Sequence, residues 1–460
     1  MKNNLYVEYS LKNKSFNLPN LDKDINIAVI GLGYVGLPLA LLIDKRISKS
    51  RIIGFDIQKE RIDQLNNKID KTGLVKEKEI NNFFKKSFFT YYENELEKCS
   101  IFIVCVPTPV DEHKVPNLNP LKNASEIISK AIKRSEIKGI NQNIRKVIIY
   151  ESTVYPGVTE EICGSLLEKK LNCKIGEKFS LGYSPERVSP SLDNQISLES
   201  IVKLTSGSDE ETRKLVDKFY SLILNSKTFS TSSIKIAEAA KVVENIQRDI
   251  NIALMNELSL IFRNMELDTY DVIEAASTKW NFIPFNPGLV GGHCIGVDPY
   301  YLAYAAEKYN VHTELIKSGR RINDNMAGWI ARTVSKIFNA NSKSISMNSV
   351  LIVGACFKRD CPDLRNSQSI ILAKLLEKYG FEVEVIDYLA SAFDLTSHKG
   401  ICINSKPQKP NGYGIIICTV AHKKYTEWEE KDWVNLKVNE QSLIFDIENV
   451  VPRNLNPIRF

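Results

Sequence analysis

INIAVIGLGYVGLPLALLI, residues 25–43, decides the fold. Its first six residues form a short apolar run of strand type, and Gly31-Leu-Gly33-Tyr34-Val35-Gly36 follows at once and opens a helical segment. In such a turn the first glycine permits the tight bend, the second lets backbone approach a pyrophosphate, and the third lets helix and strand pack closely. The phosphates then lie over the helix N-terminus. A GxGxxG alone is a weak signal. Here the next apolar run, IIGFD, ends in Asp56, twenty residues after Gly36. A carboxylate at that place accepts hydrogen bonds from ribose hydroxyls and repels a 2′-phosphate, so the expected cofactor is NAD rather than NADP. Arg61, about one helical turn further on, is placed to cover the adenine ribose side.

Outward from that turn, apolar strands alternate with helical stretches. Ile27–Ile30, Ile52–Phe55, Ile101–Val106 and Val147–Tyr150 are the expected strands, and the alternation persists to about Gly207. Strands alternating with helices imply βαβ units and a parallel sheet. Residues 232–267 then run with few breakers and with apolar residues at helical spacing, which predicts one long helix joining two domains and helping to form a dimer. A second α/β unit starts near Ser349, with VLIVGACF, EVEVID, IIICTV and SLIFDI as strands and Gln368–Tyr379 as a helix. The expected fold is α/β: two Rossmann-like parallel-sheet domains joined by a helical central domain. The expected divisions are an extension over 1–20, an NAD-binding domain over 21–207, a central helical domain over 208–335 and a C-terminal nucleotide-sugar-binding domain over 336–460.

The composition limits the class of protein. The chain has 460 residues, 43% hydrophobic and 25% charged, with a formal charge of +6. That excess is small and spread out, so nucleic acid is not an expected partner. The nine cysteines are scattered, with no CxxC pair and no metal spacing, which argues against a disulfide framework and against a metal site. A polar N-terminus without an apolar h-region predicts a cytoplasmic protein. The uncharged run 25–43 carries Gly31, Gly33, Gly36 and Pro38, which suit strand, turn and helix rather than a membrane span.

The chemistry concentrates in Asn286-Pro-Gly288-Leu-Val-Gly291-Gly292-His293-Cys294-Ile-Gly296-Val297-Asp298-Pro299. So many glycines suit neither a regular helix nor a strand, so this is a loop where backbone approaches something closely. A cysteine there is a candidate nucleophile, whereas Cys105 inside the apolar run IFIVCV reads as core. His293 reads as structural or as a modest tuner of the thiol.

Together with GLGYVGLPLA, VPTPV, ESTVYPGVTEE, YSPERVSP, AKVVENIQRDINIALMNE and GACFKRDCPDLRNS, this loop resembles the UDP-glucose/GDP-mannose dehydrogenase family from about residue 25 to 455. The SPER form and FNPGLVGGHCIGVDPYYL resemble the branch acting on UDP-N-acetylhexosamines. The resemblance implies NAD-dependent, four-electron oxidation of a sugar CH2OH through a thiohemiacetal and thioester on Cys294, for surface polysaccharide precursors. It implies Lys241, Asn245, Asp298, Glu186 and Thr153 as further catalytic residues. Asp56, Arg61, Thr108, Thr153 and Arg365 fall on cofactor contacts, beside the turn residues Gly31, Gly33, Tyr34, Val35 and Gly36. Glu186, Arg187, Lys241, Asn245, Asn286, Gly288, Gly291, Phe357 and Lys358 fall on substrate contacts. Arg320 and Arg321 are further candidates for the diphosphate, beside the alternative that they are solvated helix residues. The family's substrate-reaching arginine from a neighbouring subunit has no counterpart at equal spacing, with Lys279 the nearest basic residue, and Val297 stands where a lysine is usual.

Other chemistries are conceivable for such a chain. A two-electron hydroxyacid dehydrogenase shares a Rossmann unit, a long helix and a lysine but has no use for the GGHC loop or the second α/β unit. A silent nucleotide-sugar-binding protein has no use for Cys294, Lys241 and Asp56 together. UDP-glucose and UDP-ManNAc are the alternative substrates. A UDP-sugar and a second copy of the chain are the expected partners, with no membrane contact.

Overall fold

The computed structural model describes residues 16–187, 201–225, 227–292, 295–341, 347–390 and 400–460. Two compact units meet in sequence at Val242 and Val243.

The first unit is built on an eight-stranded sheet of order β3-β2-β1-β4-β5-β6-β7-β8. Its strands are β1 (Ile25–Ile30), β2 (Ser50–Phe55), β3 (Phe88–Thr90), β4 (Ile101–Val104), β5 (Lys146–Tyr150), β6 (Phe179–Tyr183), β7 (Lys203–Gly207) and β8 (Thr228–Ser230). All pairs are parallel except β6 with β7. The 3-2-1-4-5-6 order of the first six is that of dinucleotide-binding sheets, in which ligands sit beyond the strand ends where the order reverses, here between β1 and β4. β1 and β4 are almost wholly buried because helices cover both faces of a parallel sheet, so their sequences are continuously apolar. Helix α1 (Gly36–Arg46) starts at the glycine turn, and α2 (Glu210–Ile223) packs Val216, Phe219 and Tyr220 into the same core. The sheet runs on past residue 207 through β8, so α2 and β8 belong with the first unit. Part of the expected N-terminal extension joins it as well. Asn17 donates to the Asn143 carbonyl and accepts from Arg145 N–H, and Leu18 packs on the core.

Helix α3 (Ile234–Asn264) contains no glycine or proline, so nothing in its sequence stops it short of 31 residues, about 46 Å. It starts in the first unit and ends in the second.

In the second unit, α4 (Asp298–Glu307) and α5 (Glu314–Ala340) precede a six-stranded sheet. Its strands are β9 (Ser349–Val353), β10 (Glu382–Ile386), β11 (Ile403–Asn404), β12 (Ile415–Cys418), β13 (Leu443–Asp446) and β14 (Ile458–Arg459), all parallel, in the order β11-β10-β9-β12-β13-β14. This is the first sheet's 3-2-1-4-5-6 order again, with its reversal between β9 and β12. Helix α6 (Gln368–Lys378) follows β9 and is capped by the Ser367 side chain, which accepts from Ile370 N–H. Among the described residues no helix is long and apolar enough to cross a membrane.

Candidate active site

The glycine turn follows β1. Gly31 has φ +91°, and a Cβ added there would sit 2.8 Å from the Cys105 carbonyl oxygen. At Gly36 it would run into the Gly31 carbonyl oxygen, whereas at Gly33 it would meet nothing within 4 Å. Tight bend, open approach and close helix–strand packing thus occupy the three positions in the expected order. Cys105 lies just beyond β4 beneath this turn, and burial pushes its thiol well above the ordinary range, which suits packing rather than reactivity. Asp56 Oδ2 accepts from Leu32 N–H at 2.9 Å and Oδ1 from Gln58 N–H at 2.9 Å, so the acid is fixed to the turn. Arg61 braces the same turn: Nε donates to the Leu32 carbonyl at 2.9 Å and the guanidinium pairs with Asp70 at 2.9 Å. These residues fit a dinucleotide: an open glycine edge, a helix N-terminus at Val35–Gly36 beside Tyr34, and an anchored carboxylate after β2.

The loops after β4, β5 and β6 are tied to one another. Thr108 Oγ1 donates to the Thr153 carbonyl at 2.8 Å, Ser152 Oγ to the Val106 carbonyl at 2.6 Å, and Glu186 N–H to the Glu151 carbonyl at 3.3 Å. Arg187 donates to the Val202 carbonyl at 2.6 Å.

Helix α3 inverts the usual pattern. Glu238, Lys241, Asn245, Asp249, Asn256 and Ser259 share one face at helical spacing, and all are buried. Ile236, Val243, Leu254 and Ile261, spaced by seven, eleven and seven residues, form the opposite face and stand about half exposed. All of them but Lys241 have hydrogen-bond partners among the described residues. In the first unit, Glu238 accepts from Gly157 N–H at 2.6 Å and Thr159 N–H at 2.9 Å, and burial raises its carboxyl to about 7 against those bonds. Lys241 is 7% exposed, so it is not a solvated helix residue, and among the described residues it has no hydrogen-bond or ion-pair partner. In the second unit, Asn245 Nδ2 donates to Asp298 Oδ2 at 2.5 Å. Asp249 Oδ1 accepts from Arg320 at 2.6 Å and from Asn323 Nδ2 at 2.7 Å. Asn256 clamps the backbone of Gly288, accepting from its N–H at 2.8 Å and donating to its carbonyl at 3.0 Å, and also donates to Asn323 at 2.8 Å.

Arg320 therefore corrects the expectation of a diphosphate ligand or a solvated residue. It is 2% exposed and spent on Asp249 and Asp324.

His293 and Cys294 lie outside the described residues. Their loop packs on the segment after β9: a Cβ on Gly291 would meet the Asn366 carbonyl oxygen at 2.6 Å, and one on Gly292 (φ +84°) would meet the Phe357 ring at 2.6 Å. Asn286 is exposed. Asp298 stands buried at the start of α4 with Pro299 beside it, a helix-opening arrangement rather than a loose turn.

At the reversal point of the second sheet lies a cavity of about 140 Å³, whose lining includes Phe357, Lys358, Arg359, Gln368, Thr419 and Glu448. Gln368 Oε1 is buried there without a hydrogen-bond partner. Burial and then Asp446 raise the Glu448 carboxyl to about 7, against the pull of Arg359. Arg365, expected to touch cofactor, pairs with Asp363 in the following loop. Nearby, Cys356, Asp387 and His422 cluster closely enough to suggest metal ligands. His422 Nδ1 accepts from Asp360 N–H at 2.8 Å, however, so a neutral ring carries its proton on Nε2 and donates it to Asp387 at 3.0 Å. That leaves no ring lone pair for an ion.

Sequence reasoning missed Glu151, Asn256, Gln368 and Glu448. A signal existed for Asn256, which recurs at helical spacing with Lys241, Asn245 and Asp249. Glu151 opens the quoted stretch ESTVYPGVTEE and Gln368 directly follows GACFKRDCPDLRNS, so both stood at marked stretches, whereas Glu448 follows a strand with nothing distinctive around it.

The chain matches the UDP-glucose/GDP-mannose dehydrogenase family in three parts: the NAD binding domain over residues 25–223, the central domain over 235–325 and the UDP binding domain over 351–453. It is 44% identical over 437 residues to a UDP-N-acetyl-D-glucosamine 6-dehydrogenase of Pseudomonas aeruginosa, covering 95% of this chain and 100% of the relative. It is 40% identical over 440 residues to one of Salmonella typhi, covering 95% and 99%. A solved UDP-D-ManNAc dehydrogenase of Pyrococcus horikoshii superposes with a TM-score of 0.80 at 26% identity, over 95% of this chain and 98% of that one. With an NAD-type turn in one unit and a UDP-binding domain in the other, the chain belongs to the UDP-glucose/GDP-mannose dehydrogenase family and is an NAD-dependent nucleotide-sugar dehydrogenase.

Proposed function

We propose that the chain oxidises the C6 hydroxymethyl of a UDP-N-acetylhexosamine, UDP-GlcNAc first among them, to the uronic acid. The substrate assignment is supported by the two UDP-N-acetyl-D-glucosamine 6-dehydrogenases at 44% and 40% identity. One observation carries the catalytic reading: the buried Asn245–Asp298 hydrogen bond ties α3, with Lys241 one turn earlier, to the residue four places after Cys294.

NAD, when bound over the glycine turn, accepts one hydride in each of two oxidations. In the first, the C6 hydroxyl loses its proton to a base as hydride leaves, and Lys241 stabilises the developing alkoxide with Asn245 as a neutral donor. The Cys294 thiolate then adds to the aldehyde carbon, and the resulting thiohemiacetal oxygen takes a proton. Loss of the second hydride and of that proton leaves a thioester. Water attacks the thioester carbon, the carbon–sulfur bond breaks, and Cys294 leaves as thiolate. Asp298, Glu186 and Thr153 orient that water and remove its proton. The cavity beside Lys358 holds the nucleotide diphosphate, the part of the substrate far from the reacting C6, and its binding energy there serves orientation. Arg187, Asn286, Gly288, Gly291 and Phe357 contact the same ligand in this reading.

The exposed apolar stripe Ile236, Val243, Leu254 and Ile261 supports a homodimer, or a larger assembly, through α3. Buried thiols such as Cys99, Cys163 and Cys418 suit a reducing, cytoplasmic setting. The uronic acid would serve as a precursor of surface polysaccharide.

The test is NADH yield per nucleotide sugar across UDP-GlcNAc, UDP-GalNAc, UDP-ManNAc and UDP-glucose. Two equivalents from UDP-GlcNAc support the reading. One equivalent supports a two-electron dehydrogenase, and none from any of the four rejects catalysis of this kind.

A further inference from the structure

Beneath the loops that carry Thr153 and Glu186 lies a buried charged cluster. Glu151 directly follows β5 and is 1% exposed, Lys203 opens β7 at 5%, and Tyr220 on α2 is fully buried. Lys203 Nζ donates to Glu151 Oε2 at 2.5 Å and also to the Pro185 carbonyl at 3.0 Å. The Tyr220 hydroxyl donates to the other carboxylate oxygen of Glu151, and Lys203 Nζ stands 5.1 Å from the centre of the Tyr220 ring. Burial works to raise the Glu151 carboxyl, and the Lys203 charge opposes it.

An ion pair in this position is costly to bury and adds little stability over an apolar replacement of the same shape. Its geometry indicates what it does. One ammonium reaches two chain segments: the side chain two residues before Thr153 and the peptide carbonyl immediately before Glu186. The Glu186 N–H completes the ring by donating to the Glu151 carbonyl at 3.3 Å. The Pro185–Glu186 peptide is thus held on both sides, which fixes the direction in which the Glu186 side chain leaves the backbone.

We propose that Lys203, through Glu151 and the Pro185 carbonyl, is a positioning residue that sets Glu186 against Thr153 for the water-dependent step. This rests on the role given to those two residues above. Lys203 touches neither substrate nor cofactor and acts only through the loops it joins.

The test uses the full-length protein, with NADH formation from UDP-GlcNAc followed in steady state and in a single turnover. Lys203→Met should lower kcat by about 100-fold while kcat/KM for the nucleotide sugar, which reports only the steps before hydrolysis, stays within about threefold. NADH should appear in a burst followed by a slow phase, with the acylated protein visible by intact mass, because hydrolysis has become limiting. Lys203→Arg, which can still reach both oxygens, should recover much of the rate. Should Lys203→Met fail to fold, the double variant Glu151→Gln/Lys203→Met removes both charges together and should show the same burst. A folded Lys203→Met or double variant with unchanged kcat and only a lower melting temperature overturns the proposal, as does a rate loss without a burst. If the wild type itself makes no NADH from UDP-GlcNAc, the functional reading falls first and this proposal with it.

Discussion

Asn245 Nδ2 donates to Asp298 Oδ2 at 2.5 Å, joining the middle of one long helix to the first turn of another across 53 residues of sequence. Both side chains are buried, so the carboxylate has little water to replace a lost donor. Asn245→Ala should therefore cost about 1–3 kcal/mol of stability in a denaturant titration. It should also lower kcat at least about tenfold, since a neutral donor near developing charge is removed. Unchanged kcat in the folded variant would detach this pair from the chemistry.

Asp56 is held to the glycine turn by two backbone N–H groups and keeps acceptor capacity for a ribose. A charged hydrogen bond contributes about 1.5–3 kcal/mol, so Asp56→Asn should weaken NAD binding by about 10- to 100-fold and narrow the preference over NADP. Fluorescence titration with both dinucleotides measures this, and equal loss for the two would contradict a ribose contact.

Cys294→Ser should abolish formation of two NADH per sugar. A hydroxyl is a far weaker nucleophile than a thiolate, so turnover stops or an adduct accumulates. Single-turnover NADH yield together with intact mass decides the matter, and a rate equal to wild type would reject covalent catalysis.

Glu448 lines the cavity with Lys358 and Arg359, and its carboxyl is raised to about 7, chiefly by burial. Below that pH it is neutral and the cavity is more cationic; above it the carboxylate repels a diphosphate. UDP-GlcNAc, whose diphosphate stays ionised throughout, should bind more weakly as pH rises from 6 to 8, by no more than about tenfold per unit. In Glu448→Gln the calorimetric affinity should be flat over that range. A slope unchanged by the substitution would mean that another group titrates.

Much of this was legible in the chain because it is local. Gly31, Gly33, Gly36 and Asp56 lie within one βαβ unit, so turn geometry and the next strand end follow from spacing. The strands around them are apolar throughout because both faces of a parallel sheet are covered. The second α/β unit was readable for the same reason, although its repetition of the first strand order appears only once the strands are paired.

Sequence by itself determined the central strands of both sheets (β1, β2, β4, β5, β9, β10, β12 and β13), the dinucleotide turn, the long helix and the residue types available for chemistry, since each depends on neighbours within a few turns of chain, whereas β3, β6, β7, β8, β11 and β14 went unread. Only tertiary structure decided which polar groups are taken out of water and what meets them there. Arg320 and Arg321 are adjacent basic residues in one helical stretch, yet Arg320 is buried against Asp249, 71 residues away, while Arg321 lies exposed. Lys203 joins segments 52 and 18 residues distant. Spacing along the chain cannot report such pairings, because the energy that fixes them, the cost of a charge without water, exists only after the sheets and helices have closed around it.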